Sequence, residues 1–367
     1  MKLEALSLSE MRTHRSEKWR GFPADVLPLF VAEMDFPIAK PIQDILIEMV
    51  SHSDMGYLSS IPELGKAFSD FAKRRWNWNL NPEYVRLCTD VGVGMVEVLR
   101  VTTQPGDKVL VNSPIYQNFY NWIKETKVEL IDVPFIQNGL NWSLDFDAIE
   151  KVYASGLKVH ALCHPHNRLG RIFSREELTR IADLAKKYGV TVISDEIHAP
   201  LTFPGKEFIP FLSLNETAAE VGICVTSASK AFNLAGLKCS MIITGSGKLR
   251  DRINQMPMAV AFRASLFGAA AATAAGRLAR GAASPRPNVL IILTDDHGYG
   301  DVSIYRASPA TMRGGQSGLR PHLLGHLPGC NNPTTGNIDD FIVKSSFAFP
   351  RVGEIGNAGR NYMRANT

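Results

Sequence analysis

Along the first 275 positions, apolar residues fall in short runs separated by turn formers. Val109–Asn112, Leu130–Pro134, Val159–Cys163, Val190–Ser194, Ile223–Thr226 and Ser240–Ile243 are such runs, several rich in Val and Ile. Runs that are apolar on both faces predict buried strands of a largely parallel sheet. Between them the spacing changes to the helical period. In Arg175–Tyr188, residues Leu178, Ile181, Ala182, Ala185 and Tyr188 make one apolar face. Ser174 and Glu177 form a capping box there, satisfying two orphan N–H groups reciprocally, and Gly189 is placed to end the helix in a left-handed conformation. Further helices are expected over Met95–Thr103 and the Ala-rich Gly268–Ala275. Strand–helix–strand alternation predicts an α/β fold.

Composition narrows the class. Of 367 residues, 45% are hydrophobic and 21% charged, which excludes disordered, collagen-like and disulfide-scaffold chains. No apolar run approaches the ~18 residues of a membrane span, and Met1-Lys2-Leu3-Glu4 lacks the charged-then-apolar layout of a signal peptide. The five cysteines are scattered without a C-x-x-C pair, which points to reduced thiols in the cytoplasm. The net charge of +4 makes no case for nucleic acid. That charge is unevenly placed: residues 1–275 hold 30 basic and 30 acidic side chains, whereas 276–367 hold 10 and 6, with 13 of the 29 glycines. The shift divides the chain into an N-terminal segment (1–50), a main domain (51–275), a linker (276–287) and a tail (288–367).

In parallel α/β sheets, ligands sit beyond the carboxyl ends of the strands. Three such ends carry chemistry here: His164-Pro165-His166-Asn167-Arg168-Leu169-Gly170, Asp195-Glu196-Ile197-His198, and Ser227-Ala228-Ser229-Lys230-Ala231-Phe232-Asn233. Asn167, Asp195 and Lys230 are 28 and 35 residues apart, room for one crossover helix each, so the three ends can converge. A Lys after a buried strand, between Ser and aromatic residues, is placed as a nucleophile or base. Gly92-Val93-Gly94 before a helix suits an anion at the helix N-terminus. Structural alternatives stand beside these readings: Asp195 as a helix cap, Asn167 as a turn residue, Tyr116 and Tyr57 as core tyrosines, His198 as a satisfied core histidine.

Together with Phe30-Val31-Ala32-Glu33-Met34-Asp35-Phe36 and Gly56-Tyr57, these segments resemble the pyridoxal-phosphate enzymes of fold type I. Within them the likeness is to the cystathionine β-lyase-like branch of the class I/II aminotransferases, over roughly residues 20–275. The resemblance implies a three-layer sandwich around a mostly parallel sheet, with pyridoxal 5'-phosphate (PLP) as cofactor. It implies that Lys230 bonds the cofactor and moves the Cα proton, that Asp195 pairs with the ring nitrogen, that Asn167 reaches the ring hydroxyl, and that Tyr116 stacks on the ring. Val93, Gly94, Ser227 and Lys238 would hold the phosphate, Tyr57 would reach the phosphate of a second subunit in a homodimer, and His198 would shape the pocket. Arg168 stands where that family usually has Pro. The implied reaction is β C–S lysis of cystathionine or a related cysteine thioether, giving a thiol, pyruvate and ammonia. An aminotransferase would use the same residues, and a cofactor-binding but inactive fusion is a third reading.

The tail departs from this likeness. The family's small C-terminal domain, with an Arg that clamps the substrate carboxylate, has no match after residue 275, so that domain is expected to be missing or replaced. Asn288–Asp301 instead looks like the N-terminal strand of sulfatases, which delivers two adjacent Asp, here Asp295 and Asp296, to a divalent cation. Cys330-Asn331-Asn332-Pro333 is not the sulfatase nucleophile motif, so a metal-dependent sulfatase is a distant alternative. The Ala-rich 268–275 stretch also resembles the apolar core of a signal peptide, and little order is expected over 306–367.

Overall fold

The computed structural model describes residues 4–203 and 205–278. In chain order these form α1 (Leu8–Met11), α2 (Glu17–Arg20), α3 (Lys40–Ser51), α4 (Pro62–Trp76), β1 (Val85–Cys88), α5 (Val91–Thr102), β2 (Lys108–Val111), α6 (Asn118–Glu125), β3 (Glu129–Asp132), β4 (Ile136–Asn138) and β5 (Asn141–Ser143). There follow α7 (Phe146–Ala154), β6 (Val159–Cys163), α8 (Arg175–Tyr188), β7 (Thr191–Asp195), α9 (Glu216–Val221), β8 (Gly222–Thr226), β9 (Ser240–Thr244), α10 (Gly247–Ile253), α11 (Met258–Ala261) and α12 (Leu266–Leu278).

Seven strands make one sheet in the order β1-β9-β8-β7-β6-β2-β3, and β4 pairs with β5. β3, β2, β6, β7 and β8 run parallel, while β9 is antiparallel to both β8 and β1. β6, β8 and β9 are buried along their whole length, which is why their sequences read as continuous apolar runs. Alternate side chains then feed two cores. Leu110, Leu162, Val192, Cys224 and Met241 pack with Leu178, Ile181 and Ala185 of α8. Val109, Ala161, Ile193, Val225 and Ile242 pack with α5 and α6 through Met95, Val98, Leu99, Phe119 and Ile123. Helices on both faces make the expected three layers. Outside residues 138–141, the described chain is one unit.

α8 matches its expected bounds. Glu177 Oε2 accepts the Ser174 N–H at 2.9 Å, Ser174 Oγ accepts the Glu177 N–H at 3.2 Å, and Gly189 closes the helix at φ +69°. Three elements differ from expectation. β1 has no counterpart in the sequence reading, because Arg86 interrupts its apolar pattern and three of its four residues are half-buried. α5 starts at Val91 rather than Met95, because Asp90 caps it. α12 runs through Gly276 to Leu278, into the stretch read as linker. Its Gly268 is required by a close approach, since a Cβ there would stand 2.2 Å from Leu237 O. Asp295, Asp296, Cys330 and the rest of the sulfatase-like stretch and tail lie outside the described residues.

Candidate active site

β6, β7 and β8 are neighbours, with Cys163 opposite Asp195 and Asp195 opposite Val225. The loops carrying Asn167, Asp195 and Lys230 therefore leave the carboxyl end of these strands side by side. Asp195 is buried at 5% exposure; its Oδ1 accepts the Ile197 N–H at 3.1 Å and its carbonyl accepts the His164 N–H at 2.9 Å. Asn167 is half-buried and its N–H donates to Cys163 Sγ at 3.2 Å. Arg168 follows at φ +114°, a conformation that a Pro could not adopt and that is costly for any residue with a Cβ. Lys230 is half-buried in the turn after β8, a turn held by Phe232 N–H to Ala228 O (3.1 Å) and Leu234 N–H to Ser229 O (3.0 Å). Asn233, left-handed at φ +58°, clips that turn to the Phe30–Phe36 segment. Its Oδ1 accepts the Met34 N–H at 3.1 Å and its Nδ2 donates to Met34 O at 3.0 Å.

The antiparallel direction of β9 brings its start to the same end of the sheet: Ser240 lies opposite Cys88 and Met241 opposite Thr226. Lys238 thereby reaches the N-terminus of α5, where its Nζ stands 3.3 Å from Asp90 Oδ2. Ser227 is buried, donates to Cys239 O at 2.8 Å and accepts the Ser229 N–H at 3.1 Å. The donors expected from Val93 and Gly94 are engaged within the chain. Asp90 Oδ1 accepts the Val93 N–H at 2.9 Å, and Asp90 O accepts the Gly94 N–H at 2.9 Å. The N–H groups left at this helix end, with no hydrogen bond among the described residues, are those of Val91 and Gly92. Gly94 acts by size: a Cβ there would stand 3.0 Å from both Cys88 Sγ and Val225 Cγ1, so its absence lets α5 lie against the sheet.

Tyr116 is half-buried, edge-on to Trp122 at 6.0 Å between centroids, and its hydroxyl accepts from Asn118 Nδ2. His198 is half-buried at the start of the turn Ala199–Leu201. Tyr57 is 100% exposed, which rules out the core-tyrosine alternative for it.

Behind the sheet, on the face of Leu162 and Val192, lies a layer of buried polar groups to which the sequence reading gives no role. His160 joins the Tyr153 hydroxyl (2.8 Å) to Asn112 Oδ1 (2.8 Å), and Asn112 Nδ2 donates to Val133 O at 2.9 Å. His164 Nε2 donates to Ile209 O at 3.0 Å, its ring 4.6 Å from that of Phe208. Burial pushes the pKa of His160 and His166 down to about 3 and that of His164 to about 4, so all three are neutral at pH 7. Glu196 Oε1 accepts from Phe211 N–H (2.8 Å) and Ser194 Oγ (3.0 Å), while burial raises its pKa to about 7. Asp90, Cys163, Glu196 and Asn233 thus shape the site without having been singled out. Asp90 was findable, as a capping residue type just before a helix; an N–H···S contact leaves no sequence pattern.

The chain matches the family Aminotransferase class I and II over residues 29–281. It is 40% identical over 285 residues to a Mycobacterium tuberculosis protein named "Putative cystathionine beta-lyase", covering 75% of this chain and 68% of that one. Identity to the cystathionine beta-lyase of Corynebacterium glutamicum is 36% over 235 residues, covering 64% and 62% of the two chains. Cystalysin from Treponema denticola, crystallised with a pyridoxal 5'-phosphate cofactor, has the same fold, with a TM-score of 0.72, 27% identity and coverage of 76% and 73%.

Proposed function

The chain belongs to the aminotransferase class I and II family, and from that premise we propose that it is a PLP-dependent β C–S lyase. It would act on cystathionine or a related cysteine thioether and release a thiol, pyruvate and ammonia. The observation that carries the reading is that neighbouring strands place four elements at one end of the sheet: the Asn167 and Lys230 loops, Asp195, and the α5 N-terminus with Lys238 beside it. The likeness to cystathionine beta-lyases supports the lyase over the aminotransferase assignment.

The donor set suits PLP. The Lys238 ammonium and the Val91 and Gly92 N–H groups offer charge and donors to a phosphate. A Cβ on Gly92 would stand 3.1 Å from Trp122 Nε1, so glycine keeps that approach open. Bound PLP supplies an electron sink for the charge released at an amino acid's Cα. The buried Asp195 carboxylate would hold a proton on the ring nitrogen, where charge matching favours it. The Asn167 amide would orient the ring through its hydroxyl, and Tyr116 would cover its face. The Lys230 amine would anchor the cofactor by a covalent bond and then, freed by substrate, take the Cα proton. His198, next along the chain from Ile197, would line the pocket beside Asp195.

Tyr57 supports a homodimer, since a fully exposed tyrosine is available to a second copy's phosphate. Four free, buried cysteines among the described residues support a reducing compartment, and we place the protein in the cytoplasm. Among the described residues, no helix is long and apolar enough to cross a membrane. The test is to incubate the PLP-loaded chain with cystathionine and assay pyruvate and free thiol. Stoichiometric release of both is expected; amino transfer that depends on a keto acid and releases no thiol would assign the chain to the aminotransferases instead.

A further inference from the structure

We propose that Cys163 is a positioning residue, whose thiol fixes the loop that carries Asn167 beside Asp195. The inference rests on the reading of Asn167 and Asp195 as contacts to the cofactor ring. Cys163 is the last residue of β6, 2% exposed, and lies in register with Asp195. The chain then turns through His164, Pro165 and His166, and the Asn167 N–H comes back to Cys163 Sγ at 3.2 Å. The same sulfur lies 3.6 Å from Pro165 O, to which its S–H donates. One side chain therefore closes a four-residue turn, accepting from its far end and donating to its middle.

Local backbone preference does not hold the far end of this loop in place. Arg168, next after Asn167, sits at φ +114°, where a side chain is disfavoured, so the surroundings must impose the conformation. On the far side they do so through His166 N–H to Arg171 O at 2.8 Å and Gly170 N–H to His166 O at 3.0 Å. On the near side, toward Asp195, Cys163 Sγ is the acceptor for the Asn167 N–H. Replacing the thiol by an apolar group would leave that half-buried N–H without this acceptor and release the residue whose amide faces the cofactor.

The test uses the full chain and three variants. Cys163→Ala removes the acceptor, Cys163→Val removes it while filling the space, and Cys163→Ser retains a donor and an acceptor. Hydrogen exchange at the Asn167 amide is measured without PLP, and the PLP dissociation constant and the pH titration of the cofactor's visible absorbance are measured with it. One hydrogen bond corresponds to ~2- to 12-fold in an equilibrium constant. Exchange that is faster by that factor, PLP binding weaker by a similar factor, and a displaced titration midpoint are expected for Ala and Val, with Ser close to wild type. If Ala does not fold, Val carries the comparison. Wild-type exchange and wild-type PLP affinity in the folded Ala or Val variant would overturn the positioning role alone. A wild-type chain that takes up no PLP would overturn the cofactor reading and this role with it.

Discussion

Replacing Glu196 by Gln changes how stability depends on pH, and the size of the change follows from the burial of the carboxyl. Glu196 is 2% exposed, next to Asp195, and its Oε1 accepts from the Phe211 N–H and the Ser194 hydroxyl. Burial, with a smaller push from the neighbouring Asp195 charge, raises its pKa from 4.5 to about 7. Between those values the folded chain binds more protons than the unfolded one. The stabilisation is therefore complete below about pH 4.5 and is lost as pH rises through 7. From about pH 5 to about pH 8, the loss is roughly 2.5 kcal/mol at 1.36 kcal/mol per unit of pKa shift. Gln cannot titrate but still accepts the Phe211 N–H, so Glu196→Gln should gain on wild type by that amount across the interval, whatever constant offset its altered bonding adds. Urea unfolding of both proteins at the two pH values gives the difference directly, and other groups cancel. A difference that stays constant within about 0.5 kcal/mol would show that Glu196 ionises as an ordinary surface carboxyl, and the buried-acid argument would fail.

The three buried histidines act in the opposite sense. Their pKa values lie below 6.5, so their contribution is present above that pH and is lost on acidification. Set against the opposing shift of Glu196, they give a net fall averaging roughly 2 kcal/mol per pH unit between about 6.5 and 4.5, read as a drop in the urea midpoint; a flat profile would contradict it. Gly94→Ala should destabilise by about 1–3 kcal/mol in a thermal melt, because the new Cβ meets Cys88 Sγ and Val225 Cγ1 at 3.0 Å and overpacking exceeds the gain in helix propensity. Arg168→Gly should stabilise by about 1 kcal/mol, since glycine takes φ +114° without the Cβ penalty; an unchanged melting temperature would mean that this backbone is unstrained.

Fold and site were legible in the sequence to different depths. β6, β8 and β9 are buried on both faces, so their apolar runs stand out, and the Asn167 and Lys230 segments directly follow β6 and β8. β1 failed that test because Arg86 breaks its pattern and its partner β9 lies far along the chain. In Gly92-Val93-Gly94, two glycines read as loop, yet both lie in the first turns of α5, tolerated there because the helix lies against the sheet and Asp90 caps it. Gly94 and Val93 were assigned to an anion, whereas Asp90 engages both of their N–H groups. The polar layer of His160, His164 and Glu196 escaped notice because a residue's type does not announce its burial. Cys163 and Asn233 act through contacts with partners that only the fold determines, although Asn167 and Met34 belong to segments already singled out.

The account turns on Lys230 as the point of cofactor attachment. Incubating the chain with PLP, reducing with borohydride and mapping the labelled peptide by mass spectrometry tests it without substrate. The label is expected on Lys230 and absent from Lys230→Ala. A label on Lys238 or another lysine, or none on the wild-type chain, would contradict it.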